Sequence, residues 1–163
     1  MSILHQSDRQ DWATQPSLSS ALALELTPRG QWDLDAAASA DNAVASEFYS
    51  EERSGLVYPW FGHCWCNPPY AQTRVWVQRA ASEIGRVGGP FLVCMLIAYR
   101  PDTRVWHEVI WDRADEVRSI AGRLRFVGAQ GRSTFPSAVV IFRRRAAGVR
   151  YGLPRLTTME RID

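Results

Sequence analysis

Lysine is missing from this chain of 163 residues, and all 19 basic side chains are arginines. The codon usage of a GC-rich genome accounts for such a choice, because both residues serve as ordinary solvated surface. Arginine, however, pairs with phosphate in a two-pronged geometry that lysine lacks. The absence of lysine therefore matters less than where the arginines lie.

Long apolar runs are also missing, and none approaches the ~20 residues needed to cross a bilayer. Residues 1–6 lack the charged and apolar zones of a signal peptide. Only three cysteines are present, Cys64, Cys66 and Cys94, at spacings that do not suggest a disulfide framework. These absences predict a cytoplasmic protein with free thiols and no membrane partner.

The composition indicates one globular domain. Hydrophobic residues make up 46% of the chain and charged residues 22%, which is enough for a sizeable core. We expect a single domain over residues 1–163, with 1–15 as a loosely ordered lead-in and 143–163 as a basic, irregular tail. The oligomeric state stays open at this point.

Charge is distributed unevenly along the chain. Residues 1–99 hold 6 arginines and 10 acidic residues, whereas residues 100–163 hold 13 arginines and 7 acidic residues. A basic C-terminal half suits a phosphate backbone. The asymmetry therefore predicts a nucleic acid as the partner.

Hydrophobic periodicity predicts alternating strands and helices. The predicted helices lie around residues 18–26, from 73 to about 88, and over 103–112, and the predicted strands are 31–35, 60–66, 91–98, 117–120 and 137–142. The run 91–98 is continuously apolar, which is typical of a central strand covered on both faces. Strand, helix and strand in this order favour a doubly wound α/β sheet.

The segment Asn67-Pro68-Pro69-Tyr70 carries the clearest chemistry, and the two prolines must end the strand before it. An amino group on an aromatic base is a poor nucleophile because its lone pair is delocalised into the ring. Acceptors that draw its hydrogens out of the ring plane favour attack, and Asn67 Oδ1 and the Pro68 carbonyl would be those acceptors. Tyr70 would stack on the base. The predicted reaction is methyl transfer to an amine.

Asp35 ends a predicted strand, which is where open α/β sheets bind ligands. Taken alone, this carboxylate could equally cap a turn, and the proline motif could equally be a turn that closes a strand. His63, Cys64 and Cys66 do not predict a metal site, because alternation along a strand separates His63 from Cys64 and no second ligand pair follows.

Several blocks along most of the chain together resemble the phage-type DNA N6-adenine methyltransferase (Dam) family. The matching blocks are Trp12-x-Thr14-x-Pro16, residues 32–38, Phe48-Tyr49 with Gly55-Leu56, residues 67–70, residues 100–103, residues 122–126 and residues 135–142. Their order and spacing are more specific than any single block.

The resemblance implies a compact, single-domain α/β methyltransferase fold that is Rossmann-like, with a mostly parallel sheet. It implies transfer of a methyl group from S-adenosylmethionine to the N6 amine of an adenine flipped out of double-stranded DNA, in the host cytoplasm if the protein is phage-encoded. The catalytic residues would be Asn67, Pro68, Pro69 and Tyr70. The cofactor-binding residues would be Trp12, Thr14, Pro16, Asp35 and Ala36. The DNA-binding residues would be Arg100, Arg123, Arg125 and Arg132.

Some points stay open within this resemblance. Asp35 is followed by three alanines and a serine, not by the glycine turn common among methyltransferases, and the acid that would hold the cofactor ribose is Glu47, Glu51 or Glu52. The family more often has Pro-Ala-Arg where Tyr99-Arg100 follows the apolar strand, which leaves the role of Arg100 undecided. The alternatives are an amine in RNA, on cytosine N4 or on a protein glutamine, and an inactive DNA-binding relative.

Overall fold

A computed structural model describes residues 16–127, 130–149 and 152–162. Three helical segments lie beside one six-stranded sheet. The helical segments are α1 (Pro16–Leu26), α2 (Thr73–Gly85) and α3, a π-helical turn Trp106–Ile110 continued by Trp111–Arg113. The strands are β1 (Leu34–Asp35), β2 (His63–Cys66), β3 (Leu92–Ala98), β4 (Glu116–Ile120), β5 (Ser137–Arg143) and β6 (Arg155–Met159). None of the helices in these ranges is long and apolar enough to cross a membrane.

The sheet is mostly parallel, as predicted. Its order is β1-β2-β3-β5-β4-β6. Strands β1, β2 and β3 pair in parallel, β5 is antiparallel to both of its neighbours, and β6 is parallel to β4. Strand β5 alone therefore runs against the others. Its first residue lies at the same edge as the last residues of β1, β2 and β3, and we call this the carboxyl edge of the sheet.

Apolar side chains cover both faces of the sheet. Alternation along β3 sends Val93, Met95 and Ile97 towards the cluster that contains α2 and α3. The intervening residues of β3 pack against α1 on the opposite face. A central strand that is apolar at every position is what two covered faces require, and the prediction made from run 91–98 is confirmed.

Two features of the fold differ from the expectations. Strand β1 has only two residues, although the segment 31–35 was predicted as a strand. In the chain before it, the Trp32 indole N–H donates to Ser19, and the Asp33 carboxylate accepts from the His63 backbone N–H, so a side chain takes the place of a strand pairing. The tail was expected to be irregular, but Arg155–Met159 pairs with β4 as the edge strand β6. Its side chains are mostly exposed, so no apolar run marks it.

Two glycines permit close backbone approaches near the start of β2 and the end of β1. Gly62 has φ +65°, a conformation that other residues rarely adopt, and a Cβ there would collide with the Asp33 carboxylate. A Cβ on Gly55 would overlap the carbonyl oxygen of Ala36. The loop that contains Gly55 therefore packs directly on the residue that follows β1.

A buried glutamate joins α2 to the chain that leads into β2. Glu83 is 3% exposed and accepts from the Trp60 backbone N–H at 2.9 Å. It also forms ion pairs with Arg79 and Arg86, at 2.8 Å each. These contacts compensate for burial of the carboxylate, because each of its oxygens has a charged or N–H partner.

Replacing Glu83 with leucine removes the acceptor for the Trp60 N–H and the partner of two arginines. We expect the free energy of unfolding to fall by about 2–3 kcal/mol, because the buried Trp60 N–H loses its acceptor and two guanidinium groups, which keep their bonds to backbone carbonyls, lose their carboxylate partner. Urea-induced unfolding measures this loss. Gln78→Leu on the exposed side of α2 is the control, and an equal loss in both variants would contradict the role of the network.

Candidate active site

The ends of four strands bring the predicted site residues together at the carboxyl edge. Asp35 pairs in register with Trp65, and the Ala36 N–H donates to the Trp65 carbonyl at 2.9 Å. The chain after β1 and the motif that begins at Asn67 are therefore neighbours. Strand β3 ends beside them, opposite the start of β5, where Ala98 is in register with Ser137.

Asp35 is a buried carboxyl at this edge, with 3% of its surface exposed. Its oxygens accept from the backbone N–H groups of Ala37 at 3.4 Å and Val44 at 3.1 Å. No cation pairs with it among the described residues. Burial therefore dominates over the two hydrogen bonds and raises the pKa of Asp35 from 3.8 to about 6. A carboxyl in this state is suited to a positively charged ligand.

The segment 47–49 folds back beside β1. The Asp35 N–H donates to the Glu47 carbonyl at 3.0 Å, and the Tyr49 N–H donates to the Asp35 carbonyl at 2.9 Å. Glu47, Glu51 and Glu52 are all exposed. The backbone of Glu47, one of the three candidates for the ribose, thus contacts β1 directly.

The motif Asn67-Pro68-Pro69-Tyr70 connects the end of β2 to α2. Pro69 has an extended backbone, with φ −55° and ψ 130°, and a single 3₁₀ turn, Tyr70–Gln72, leads into the helix. The Thr73 hydroxyl donates to the Tyr70 carbonyl at 2.9 Å and fixes the first turn. The side-chain oxygen of Asn67 is buried. The two prolines restrict the backbone that presents this oxygen.

The ring of Tyr70 contacts two phenylalanines, Phe126 and Phe135, which belong to matching sequence blocks but were not among the predicted site residues. The ring centroid of Phe135 is 4.6 Å away and that of Phe126 is 5.9 Å away, both at an interplanar angle of 65°. The Tyr70 hydroxyl is buried and has no hydrogen-bond partner among the described residues. Burial raises the pKa of Tyr70, so this hydroxyl stays protonated near neutral pH.

A hairpin-like loop after β4 carries three of the predicted DNA contacts. Arg125 and Arg132 form an antiparallel bridge, and the Ser133 N–H donates to the Leu124 carbonyl at 2.7 Å. Leu124 and Phe126 are buried, whereas Arg123, Arg125 and Arg132 are exposed. The alternation in Gly122-Arg123-Leu124-Arg125-Phe126 was the sequence signal for Phe126, because period two places one face inward.

Arg100 and the arginines of residues 143–145 lie at opposite edges of the sheet. Arg100 follows β3 at the carboxyl edge, is exposed, and pairs with Asp102 at 3.3 Å. Residues 143–145 end β5 at the opposite edge, where Arg145 pairs with Asp115 and the Arg144 guanidinium lies 4.1 Å from the centroid of the Phe91 ring. The basic C-terminal half is therefore not one continuous face.

Three residues predicted to hold the cofactor belong to the N-terminal block. Trp12 and Thr14 lie outside the described residues, and Pro16 is the first residue of α1. The three cysteines are free and buried. Within the described ranges, no group of three His, Cys, Asp or Glu side chains could hold a metal ion.

The raised pKa of Asp35 has a measurable consequence for stability. Folded Asp35 keeps its proton to a higher pH than the unfolded chain does, so the contribution of this residue to the free energy of unfolding falls as pH rises from 4 to 8. We expect the wild type to lose about 2–3 kcal/mol over this range relative to Asp35→Asn. Urea unfolding at several pH values measures this. Asp41→Asn, at an exposed position, should show the same pH dependence of the free energy of unfolding as the wild type. The expectation would be contradicted if Asp35→Asn showed that dependence too.

Comparison with known proteins identifies the family of this chain. The profile of the family described as DNA N-6-adenine-methyltransferase (Dam) matches residues 1–152. A DNA N-6-adenine-methyltransferase of Escherichia phage T1 is 33% identical over an alignment of 119 residues, and the match covers 62% of this chain and 48% of the phage protein. This chain thus spans about half the length of that relative.

A solved structure of a proposed RNA methyltransferase from Pyrococcus horikoshii superposes with a TM-score of 0.39 at 10% identity, over 61% of this chain and 51% of that one. The assignment does not depend on this likeness, because the family profile covers all but the last residues of the chain. By this match the chain belongs to the DNA N-6-adenine-methyltransferase (Dam) family.

Proposed function

We propose that the protein transfers a methyl group from S-adenosylmethionine to the N6 amine of adenine in double-stranded DNA. The observation that carries the proposal is the pairing of β1 with β2, which sets the buried carboxyl of Asp35 beside the Asn67 motif. In this proposal the end of β1 binds the methyl donor, and the end of β2 binds the base. Family membership supplies the identity of the two substrates.

Asn67 and Pro68 hold the amine in this proposal. The Asn67 Oδ1 and the Pro68 carbonyl accept the two N6 hydrogens and draw them out of the plane of the base, so the nitrogen lone pair becomes available. Pro68 and Pro69 keep these acceptors in place, and such preorganisation raises the rate without a strong base. The buried side-chain oxygen of Asn67 supports this role, because acceptors shielded from water interact more strongly.

Asp35, Ala36 and Pro16 would hold the cofactor, together with Trp12 and Thr14. Bound S-adenosylmethionine supplies an electrophilic methyl group on a positively charged sulfur. Asp35 fits such a ligand because its carboxyl is buried and its burial is not offset by a cation among the described residues. Ala36 is fully buried, and its carbonyl oxygen lies so close to Gly55 that a Cβ on that glycine would overlap it.

Tyr70 and the exposed arginines would hold the DNA. A base must leave the duplex to reach the strand ends, and stacking on an aromatic ring offsets part of that cost. Arg123, Arg125 and Arg132 face solvent from the loop after β4 and would bind phosphates beside the extruded base. Arg100 would contribute from the end of β3.

Substitution of Asn67 with alanine tests the amine grip. We expect methyl incorporation into unmethylated DNA to fall on the order of 10²–10³-fold or more, because an acceptor used in the transition state is lost. Calorimetry should show S-adenosylmethionine binding unchanged. Labelled methyl transfer measures the first effect, with Gln31→Ala as an exposed control. Full activity of Asn67→Ala would contradict the role of Asn67.

The loop arginines are tested by the salt dependence of DNA binding. We expect Arg125→Gln to weaken binding to all duplex sequences and to lower the slope of log affinity against log salt by about 1, because one phosphate contact is lost. Fluorescence anisotropy over a salt series measures the slope. Arg144→Gln, at the opposite edge, is the matched control. Equal effects of the two substitutions would place the DNA elsewhere.

Competition assays separate this proposal from the alternatives. Duplex DNA should compete for methyl transfer, and RNA or protein substrates should not. Transfer to cytosine N4, RNA or a glutamine amide would keep the motif chemistry and replace the substrate. A folded protein that does not bind S-adenosylmethionine in calorimetry would not be an enzyme of this kind. Sequencing DNA for modified adenines from cells that express the protein would also report the recognition sequence.

A further inference from the structure

Phe126 and Phe135 contact Tyr70 from different parts of the chain. Phe135 lies two residues before β5 and is fixed to the sheet, since the Tyr99 N–H donates to the Pro136 carbonyl at 2.8 Å. Phe126 instead belongs to the loop after β4 and is 4% exposed. The loop after β4 thus contacts Tyr70 through the buried ring of Phe126.

The two sides of this loop have different chemistry. Leu124 and Phe126 point inward, and Arg123 and Arg125 point outward. Residues one apart on an extended chain move together when the chain shifts, because they share a backbone. A phosphate bound by the outward arginines therefore acts on the position of the Phe126 ring.

Packing determines where the Tyr70 ring lies. Its hydroxyl is buried without a hydrogen-bond partner among the described residues, so no polar contact of that group orients the ring. The interplanar angles of 65° to Phe126 and Phe135 are those of edge contacts, which prefer a defined geometry. Replacing Phe126 with a residue that has no ring removes one of the two aromatic contacts of Tyr70.

We infer that Phe126 is a positioning residue, which couples the binding of DNA phosphates by the loop arginines to the orientation of Tyr70 at the target base. This inference rests on the proposed function. Phe126 does not touch the substrate in this account. It acts through Tyr70, and its effect should appear in the rate of the bound complex more than in affinity for the methyl donor.

The test compares Phe126→Leu with the wild type in steady-state methylation of unmethylated plasmid DNA. We expect kcat to fall on the order of tenfold, because a reacting group held slightly out of place reacts more slowly, and KM for S-adenosylmethionine to stay unchanged. Leu22→Val, in the same apolar cluster but outside the Tyr70 ring contacts, is the control for lost packing. It should keep the wild-type kcat at temperatures where it is folded.

A double-mutant cycle separates coupling from simple loss of structure. Arg125→Gln should lower both kcat and the affinity for DNA in the wild-type background. In the Phe126→Leu background it should lower the affinity alone, because the path to Tyr70 is already broken. The inference would be overturned if Arg125→Gln lowered kcat by the same factor in both backgrounds, or if Phe126→Leu left kcat unchanged.

The experiment also distinguishes failure of the proposed function from failure of the inference alone. If Phe126→Leu does not fold, Phe126→Met gives the same comparison, because its unbranched side chain fills the site without a ring. If the wild type binds S-adenosylmethionine but transfers no methyl group to DNA, the proposed function fails and the inference fails with it. An active wild type whose Phe126 variants behave like Leu22→Val rejects the inference alone.

Discussion

The parallel pairing of β1 with β2 is the constraint on which the site depends. Strand β1 has only two residues, yet its register places Asp35 opposite Trp65 and leaves Asn67 just beyond the end of the neighbouring strand. Parallel strands end at the same edge, so two segments more than thirty residues apart in sequence meet there. Gly55 packs on Ala36 and Glu83 anchors the chain before β2, and both contacts stabilise this pairing.

Burial gives the two strand ends different properties. At the end of β1, desolvation raises the pKa of Asp35 to about 6 and leaves a carboxyl that favours a cation. At the end of β2, two prolines and a 3₁₀ turn present neutral oxygens and an aromatic ring. The proposed substrates, a positively charged methyl donor and a neutral base, would each find suitable surroundings at one of these strand ends. The antiparallel strand β5 then brings Phe135 to the same edge, against Tyr70.

Much of the fold was predictable because strong local signals agreed with the tertiary structure. Helix α1 begins at Pro16, and the apolar run of β3 is buried on both faces, as expected. Strand β6 was missed because an edge strand has no need of an apolar pattern. The arginines of the C-terminal half do not form one face, since the reversal of β5 places residues 143–145 at the edge opposite to Arg100.

The sequence by itself determined the residue types at two strand ends, Asn67-Pro68-Pro69-Tyr70 and Asp35, because these depend on short segments. It also determined the family, through the order of several blocks along most of the chain. Only the tertiary structure decided which groups share an edge, what surrounds Tyr70 and which arginines lie beside it. Those relations come from strand direction and pairing between distant segments. Local sequence does not encode them, since the same strand can pair in either direction and the surrounding core selects one.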